Sequence, residues 1–349
     1  MSGQTPRLRF GTGTTVRRFD QYSAWLDTAE GAGFDLLTCG DSQSLWADCF
    51  SIMTYAAAAT SRPRLAITVS NPMTRHPAVT ASAAASVQQI SKGRFAYGIS
   101  SGDSALRNIG VPPATVDELE SYVRAVQELT AGRTVRWRDN ELELRWLERS
   151  GPAAAQRVPV WIAAEGPRTQ RLAGRIADGV VLSNCLTPER LEISRRHLAA
   201  GAAEAGRSLD DIEIWCMCNL IFAETEDAGI ESILSVLAGT ANHVFRFTLE
   251  EKGLPDDLRE RIEGLMSEYR STHHAQPGLE NPNQHLVDKY GLRSYLAAQG
   301  TIAGPPEHCV ERISQVAELG VTNLIVSQFI DDQQEWMRRF ADQVLPAFR

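Results

Sequence analysis

No apolar run in the 349-residue chain approaches the ~20 residues that a membrane-spanning helix needs. The N-terminus, MSGQTPRLRF, lacks the apolar stretch of a secretory signal. Cysteine is sparse, six in the whole chain, so a disulfide scaffold is excluded. Clustered basic residues are missing and the net charge is −8, which argues against a nucleic-acid footprint. Together these absences predict a soluble, cytoplasmic protein with neither a membrane nor a nucleic acid as partner.

Several catalytic signatures are missing too. Gly11-Thr12-Gly13-Thr14-Thr15 lacks the third glycine of a dinucleotide fingerprint, and no phosphate-binding G-x-x-x-x-G-K-[ST] occurs. There is no H-E-x-x-H and no H-x-H after the first strand, which disfavours a metal-dependent barrel hydrolase. Cys216 and Cys218 form a C-x-C without distant partners, a pattern that reads as buried thiols. No metal ligands are assigned.

What is present is ordinary globular composition, 43% hydrophobic and 22% charged. Short apolar runs alternate with longer amphipathic ones. The predicted strands are Leu8–Gly13, Leu36–Gly40, Leu65–Ser70, Phe95–Ser100, Val160–Ala164, Gly179–Ser183, Ile212–Ile221 and Asn323–Ser327. Helical spacing falls between most of them, as in Asp20–Ala32, Pro77–Ile90 and Val116–Leu129. Strands alternating with helices imply parallel pairing, and eight strands fit a single closed (β/α)₈ TIM barrel over residues 1–349. An open doubly wound sheet is the alternative.

Two segments break the alternation. Arg133–Trp146 alternates around Asp139-Asn140 and predicts a hairpin. Thr240–Tyr290 is long, polar and mostly helical, so it is expected to be an insertion or lid without a core of its own.

In such a barrel the active site lies at the C-terminal strand ends. Those ends are rich in small and hydroxyl residues, which suits a large flat polar ligand better than a metal cage. Gly166-Pro167-Arg168-Thr169 opens a helix straight from a strand, so its N–H groups and dipole form an anion site to which Arg168 adds a donor. The bland alternative is a plain helix start with a surface arginine. Gly102-Asp103-Ser104 is similar, with a capping aspartate as its default. His76 precedes Pro77 at a helix start, where a cap is at least as common as catalysis.

The stretch FDLLTCGDSQSLWADCF…TSRPRLAITVSNPMTRHPAVTASAAASVQQISKGRFAYGISSGDSALRNIG, over residues 34–110, resembles the luciferase-like oxidoreductase family. VPVWIAAEGPRTQRLAGRIADGVVLSN and GTIAGPPEHCVERISQVAELGVTNLIV fit the same family, and the likeness is greatest to methylene-tetrahydromethanopterin reductase-type members. The resemblance implies a barrel that binds reduced FMN or the deazaflavin coenzyme F420, with the ring against the turn after strand three. It implies a bulge and a non-proline cis peptide near Val69-Ser70-Asn71. It places the phosphate at Gly102-Asp103-Ser104 and Glu165-Gly166-Pro167-Arg168. It also implies a homodimer.

The expected cofactor-binding set is thus Thr12, Ser70, Asn71, Ser101, Gly102, Asp103, Ser104, Glu165, Gly166, Pro167, Arg168 and Asn184. Asp41, Ser42 and His76 are the candidate catalytic residues, and Trp46, His243, Phe245 and Phe247 are expected at the substrate or lid. Many deazaflavin-using relatives carry Asp-His after strand two; here it is Asp41-Ser42, and a hydroxyl cannot exchange a proton near neutral pH as imidazole does. That departure favours a monooxygenase using reduced FMN from a partner reductase and dioxygen on a small organic substrate. Leu45, Trp46, Phe50, Phe245 and Phe247 would keep its pocket dry. The alternatives are F420-dependent hydride transfer and a non-catalytic flavin-binding subunit.

Overall fold

The computed structural model describes residues 7–149, 156–270, 273, 281–327 and 332–349. Its strands are β1 (Arg9–Thr14), β2 (Leu36–Cys39), β3 (Arg64–Ser70), β4 (Phe95–Ile99), β5 (Val135–Trp137), β6 (Asn140–Leu142), β7 (Val160–Ala163), β8 (Gly179–Ser183), β9 (Glu213–Phe222), β10 (Thr301–Gly304) and β11 (Asn323–Ser327). β1, β2, β3, β4, β7, β8, β9 and β11 pair in that order, all in parallel. The pairing of β11 with β1 and of β8 with β9 closes the barrel. These eight correspond to the eight strands expected from the sequence. Burial on both faces explains their unbroken apolar runs, as in the fully buried β4.

Expected helices appear within a few residues of their predicted bounds, as at Phe19–Gly31, Pro77–Ile90 and Val116–Thr130. Among the described residues no helix is long and apolar enough to cross a membrane. β5 and β6 form the expected hairpin, but Trp137 pairs with Asn140, so its turn is Arg138-Asp139, one residue earlier than expected. Arg138 takes the left-handed conformation there, with φ 54°.

The barrel interior is filled by Trp161 and Trp215, with ring centroids 6.0 Å apart, against the small Ala66 and Ala96. Beneath them Arg9 and Arg64 both reach Glu213, at 2.8 and 2.6 Å, and lie over Trp215 and Trp161 respectively. The N-terminal end of the barrel is thereby plugged, and the opposite end is left for ligands.

Two expectations about the late segment are corrected. Thr301–Gly304, only four residues long, is a ninth strand that pairs in parallel with the C-terminal half of β9, from Thr301 opposite Asn219 to Gly304 opposite Phe222. The segment also builds its own core. Ile233, Leu237, Ala241 and Phe245 of the first helices meet Ile262, Leu265, Val287 and Leu296 of the later ones. Among the described residues the helices of this layer begin at Glu226 and end at Gly300, wider than Thr240–Tyr290, because the apolar positions at its ends belong to the same core.

Candidate active site

The C-terminal strand ends and the helical layer enclose a cavity of about 1100 Å³. Of the expected residues, Asp41, Trp46, Ser70, Asn71, Ser101, Gly102, Asp103, Ser104, Glu165, Gly166, Pro167, Arg168, His243 and Phe247 line it. Thr12, Ser42, His76, Asn184 and Phe245 do not.

One wall is the end of β3. Its register against β4 shifts between Ile67 and Ser70, and the peptide bond between Thr68 and Val69 is cis. Both features sit at or next to the turn where the resemblance placed them. Gly98 on β4 makes the bulge possible, since a Cβ there would lie 2.1 Å from the Ile67 carbonyl oxygen. Asn71, next in the chain, is buried and its Oδ1 accepts from the N–H of Met73 and of Thr74, both at 3.0 Å. Asn71 therefore shapes the turn as well as facing the cavity.

Asp41, at the end of β2, is engaged on both oxygens. Ser70 Oγ donates to Oδ2 at 2.5 Å, and Arg75 reaches Oδ2 at 2.5 Å and Oδ1 at 3.4 Å. Arg75 also pairs with Asp48 at 2.7 Å and lies over the Phe50 ring. Burial would favour neutral Arg75, but the Asp41 contact outweighs it and holds the guanidinium above its ordinary pKa. Asp41 is the buried half of an ion pair, which suits positioning of the β2 and β3 turns.

Its neighbours on the candidate catalytic list lie elsewhere. Ser42 is buried off the cavity, with its Oγ 3.3 Å from Ser104 Oγ. His76 is the N-cap of the Pro77–Ile90 helix: its Nδ1 accepts from the Ala78 N–H at 3.3 Å and its ring meets Trp137 edge-on. Both are corrections to the sequence reading, and local capping geometry is the physical reason for the second.

The turn after β4 links the barrel to the helical layer. Gly102 has φ +103°, and a Cβ on it would fall 2.3 Å from Leu106 Cδ1. Asp103 makes no capping bond to the following turn, contrary to its default reading. Its carboxylate instead accepts from Arg246 at 2.7 Å, contacts His243 Nδ1 at 2.8 Å and pairs with Arg107. Burial alone would raise its pKa, but His243 and Arg246 outweigh that and hold it well below its ordinary 3.8.

The turn after β7 is the helix start at which an anion site is expected. Gly166 is the N-cap of the helix Pro167–Ile176 and has no side chain to satisfy the first N–H groups. Space beside it is open. Arg168 is exposed and no ion pair engages it among the described residues. Glu165 accepts from the Ser183 N–H at 2.9 Å and from Ser183 Oγ at 2.5 Å.

Thr12 is buried and Asn184 packs against Gly300, and neither lines the cavity. Phe245 is buried in the helical-layer core, whereas Phe247 is 69% exposed at the cavity wall with Arg246 stacked on its ring. Of the five apolar residues expected to dry the pocket, Trp46 and Phe247 line it; Leu45, Phe50 and Phe245 do not. All six cysteines are buried, Cys216 and Cys218 included, and burial raises the Cys218 thiol pKa. Among the described residues no cluster of His, Cys, Asp and Glu is arranged to hold a metal.

Sequence reading missed Arg75, Arg246 and Lys252. Arg75 stands inside the quoted RHPAVTA block, so its signal was present. Arg246 and Lys252 lie in a polar segment, where a cavity-facing cation has the same local pattern as a solvated one.

The geometry fits a flavin-type ligand. The volume is of the size that takes a cofactor. An uncapped helix N-terminus and Arg168 lie at one wall, and the bulged end of β3 lies at another. Arg246 Nε is a buried donor without a partner at this cavity. The model of the luciferase-like monooxygenase family matches residues 5–323, and the chain belongs to that family of barrel oxidoreductases. It is 27% identical over 348 residues to the 5,10-methylenetetrahydromethanopterin reductase of Methanopyrus kandleri, covering 93% of each chain. It is 26% identical over 366 residues to the F420-dependent glucose-6-phosphate dehydrogenase of Beutenbergia cavernae, covering 98% of each. The fold matches the solved coenzyme F420-dependent tetrahydromethanopterin reductase from Methanopyrus kandleri with a TM-score of 0.74 at 23% identity, over 98% of this chain and all of that one.

Proposed function

We propose that the protein is an F420-dependent oxidoreductase that transfers a hydride between the deazaflavin and a small organic substrate. The observation that carries this reading is the near full-length similarity to a methylenetetrahydromethanopterin reductase and an F420-dependent glucose-6-phosphate dehydrogenase, beside the shared fold of a coenzyme F420-dependent reductase. It displaces the reduced-FMN monooxygenase favoured by the Asp41-Ser42 departure. That second reading keeps the support of the family description, and it alone calls for a partner flavin reductase. A non-catalytic subunit is disfavoured because the polar turns are intact.

When bound, the deazaflavin supplies the hydride or accepts it. The chain supplies the rest. The backbone N–H groups of Arg168 and Thr169, with the Arg168 side chain, would hold the phosphate, and the turns at Ser70-Asn71 and Ser101-Gly102 would border the ring. The Asp41–Arg75 pair keeps the β2 and β3 turns in register.

His243 answers the question raised by the missing Asp-His. An ionised Asp103 only accepts, so Nδ1 of His243 carries the hydrogen facing it and Nε2 remains to give or take a proton at the substrate heteroatom. The helical layer is proposed to act as the lid of the site, gripped to the barrel through Asp103. The protein is further proposed to pair with a second copy through the helices Cys49–Ala59 and Pro77–Ile90. These pack on each other and contain no charged residue, yet they expose Tyr55, Val79 and Ile90.

Anaerobic titration with F420 and with reduced FMN, followed by the absorbance of the bound species, tests the main reading. F420 should bind at least tenfold more tightly. Tighter binding of FMN, with oxygen consumption on adding substrate, would return the monooxygenase reading.

A further inference from the structure

Lys252 is 3% exposed, yet it lines the cavity. Its ammonium donates to the Val244 carbonyl, and no carboxylate of the described residues forms an ion pair with it. Lysine is among the residue types least often buried without a partner charge. The surroundings add positive charge. The Arg190 guanidinium is buried and donates to the Lys252 carbonyl, and Arg246 stands nearby on the same wall. Glu165 is the nearby carboxylate, but it is already engaged by Ser183 and lies 3.9 Å from Arg190. Burial therefore lowers the Lys252 pKa to about 8, with Arg190 and Arg246 pulling the same way and Glu165 opposing.

A buried cation that faces a cavity, among other cations and without a counter-ion of its own, is completed by an anion from the ligand. We infer that Lys252 binds a phosphate or carboxylate oxyanion of the ligand, clamped between the helical layer and the turn Glu165–Thr169. This deepens the proposed function and rests on the same cavity being the ligand site. The anion has two sources, the phosphate of the cofactor or an acidic group on the substrate. The lysine would join the helical layer to the ligand directly, so that layer and ligand order one another.

Competitive acetylation of the lysines in the intact protein, read by peptide mass across a pH series, tests this without turnover. Inorganic phosphate, FMN and F420 are the probes. An anion that binds Lys252 should raise its apparent pKa and slow its labelling at least tenfold at pH 8, with the exposed lysines unchanged. An effect of FMN or F420 but not of their phosphate-free forms assigns the anion to the cofactor. An effect of inorganic phosphate that persists with cofactor bound assigns it to the substrate side.

Lys252→Met should weaken the assigned interaction at least tenfold, and Lys252→Arg should restore much of it. If Lys252→Met does not fold, the labelling of the unaltered protein decides. Labelling that no probe changes overturns the inference, as does an equal loss for phosphate-bearing and phosphate-free ligands. The inorganic-phosphate measurement is independent of cofactor identity. Failure to bind F420 would thus sink the proposed activity and leave the Lys252 assignment standing.

Discussion

His243 Nδ1 lies 2.8 Å from Asp103 Oδ2, joining residues 140 positions apart in the chain. The contact crosses from the turn after β4 to the helical layer and places the imidazole on the cavity wall. The second Asp103 oxygen is held by Arg246, so the carboxylate is fixed from two sides.

If His243 handles the proton, His243→Gln should cut turnover by about 10²-fold, the scale of general acid–base catalysis. The cofactor dissociation constant should move little. Steady-state rates and a cofactor titration on the same preparation check this. Turnover near that of the unaltered protein would retire His243 as the proton-handling group.

The Asp103 pKa is depressed by His243 and Arg246, so its contribution to stability is full above the ordinary value of 3.8. It is lost as pH falls from there toward the lower folded value. Asp103→Asn should lower the melting temperature near neutral pH and flatten its fall in acid. The helical layer, losing its grip, should also be cleaved sooner by protease. Parallel acid limbs for the two proteins would contradict this account.

Asp41→Asn leaves the half-buried Arg75 without its main partner. The expected loss is about 3–5 kcal/mol, the range for breaking a buried pair from one side. Removing both charges, in Asp41→Asn with Arg75→Met, should recover part of it. Urea unfolding measures each. A single-variant loss below about 0.5 kcal/mol, the scale of ordinary surface changes, would mean the pair is not stabilising.

Arg168→Ala should weaken cofactor binding by roughly 1.5–3 kcal/mol, as for a hydrogen bond to a charged group. Stability should be unaffected, because the side chain is exposed. Unchanged affinities for both FMN and F420 would remove Arg168 from the phosphate site.

Val79→Glu and Ile90→Lys place charge on the uncharged face of the Pro77–Ile90 helix. If a second copy packs there, each variant should be monomeric by sedimentation while the unaltered protein is dimeric. A monomeric unaltered protein would end the dimer proposal.

The barrel was legible in the sequence because its signals are local. Short apolar runs, period-3.6 patterning between them, helix-start prolines and turn glycines act within a few residues, so the eight barrel strands were found from residue order alone. Thr301–Gly304 escaped because four residues carry too little periodicity. The core of the helical layer escaped because its apolar positions are scattered among polar ones and meet only when several helices pack. The turns Gly102–Ser104 and Gly166–Thr169 were readable as ligand-facing because a parallel barrel opens at its C-terminal strand ends.

Which side chains meet across those turns was decided by tertiary structure. Asp41 was read as a candidate catalytic residue because nothing in Gly40-Asp41-Ser42 announces Arg75, 34 residues on. His76 and His243 look equally plausible as imidazoles in a sequence, yet one caps a helix and the other reaches the cavity. Burial, charge pairing and exposure are properties of a residue's neighbours in space. The chain determined its elements through short-range sterics and patterning; only their packing determined which charges are paired, which are exposed, and which, like Lys252, are left facing the cavity.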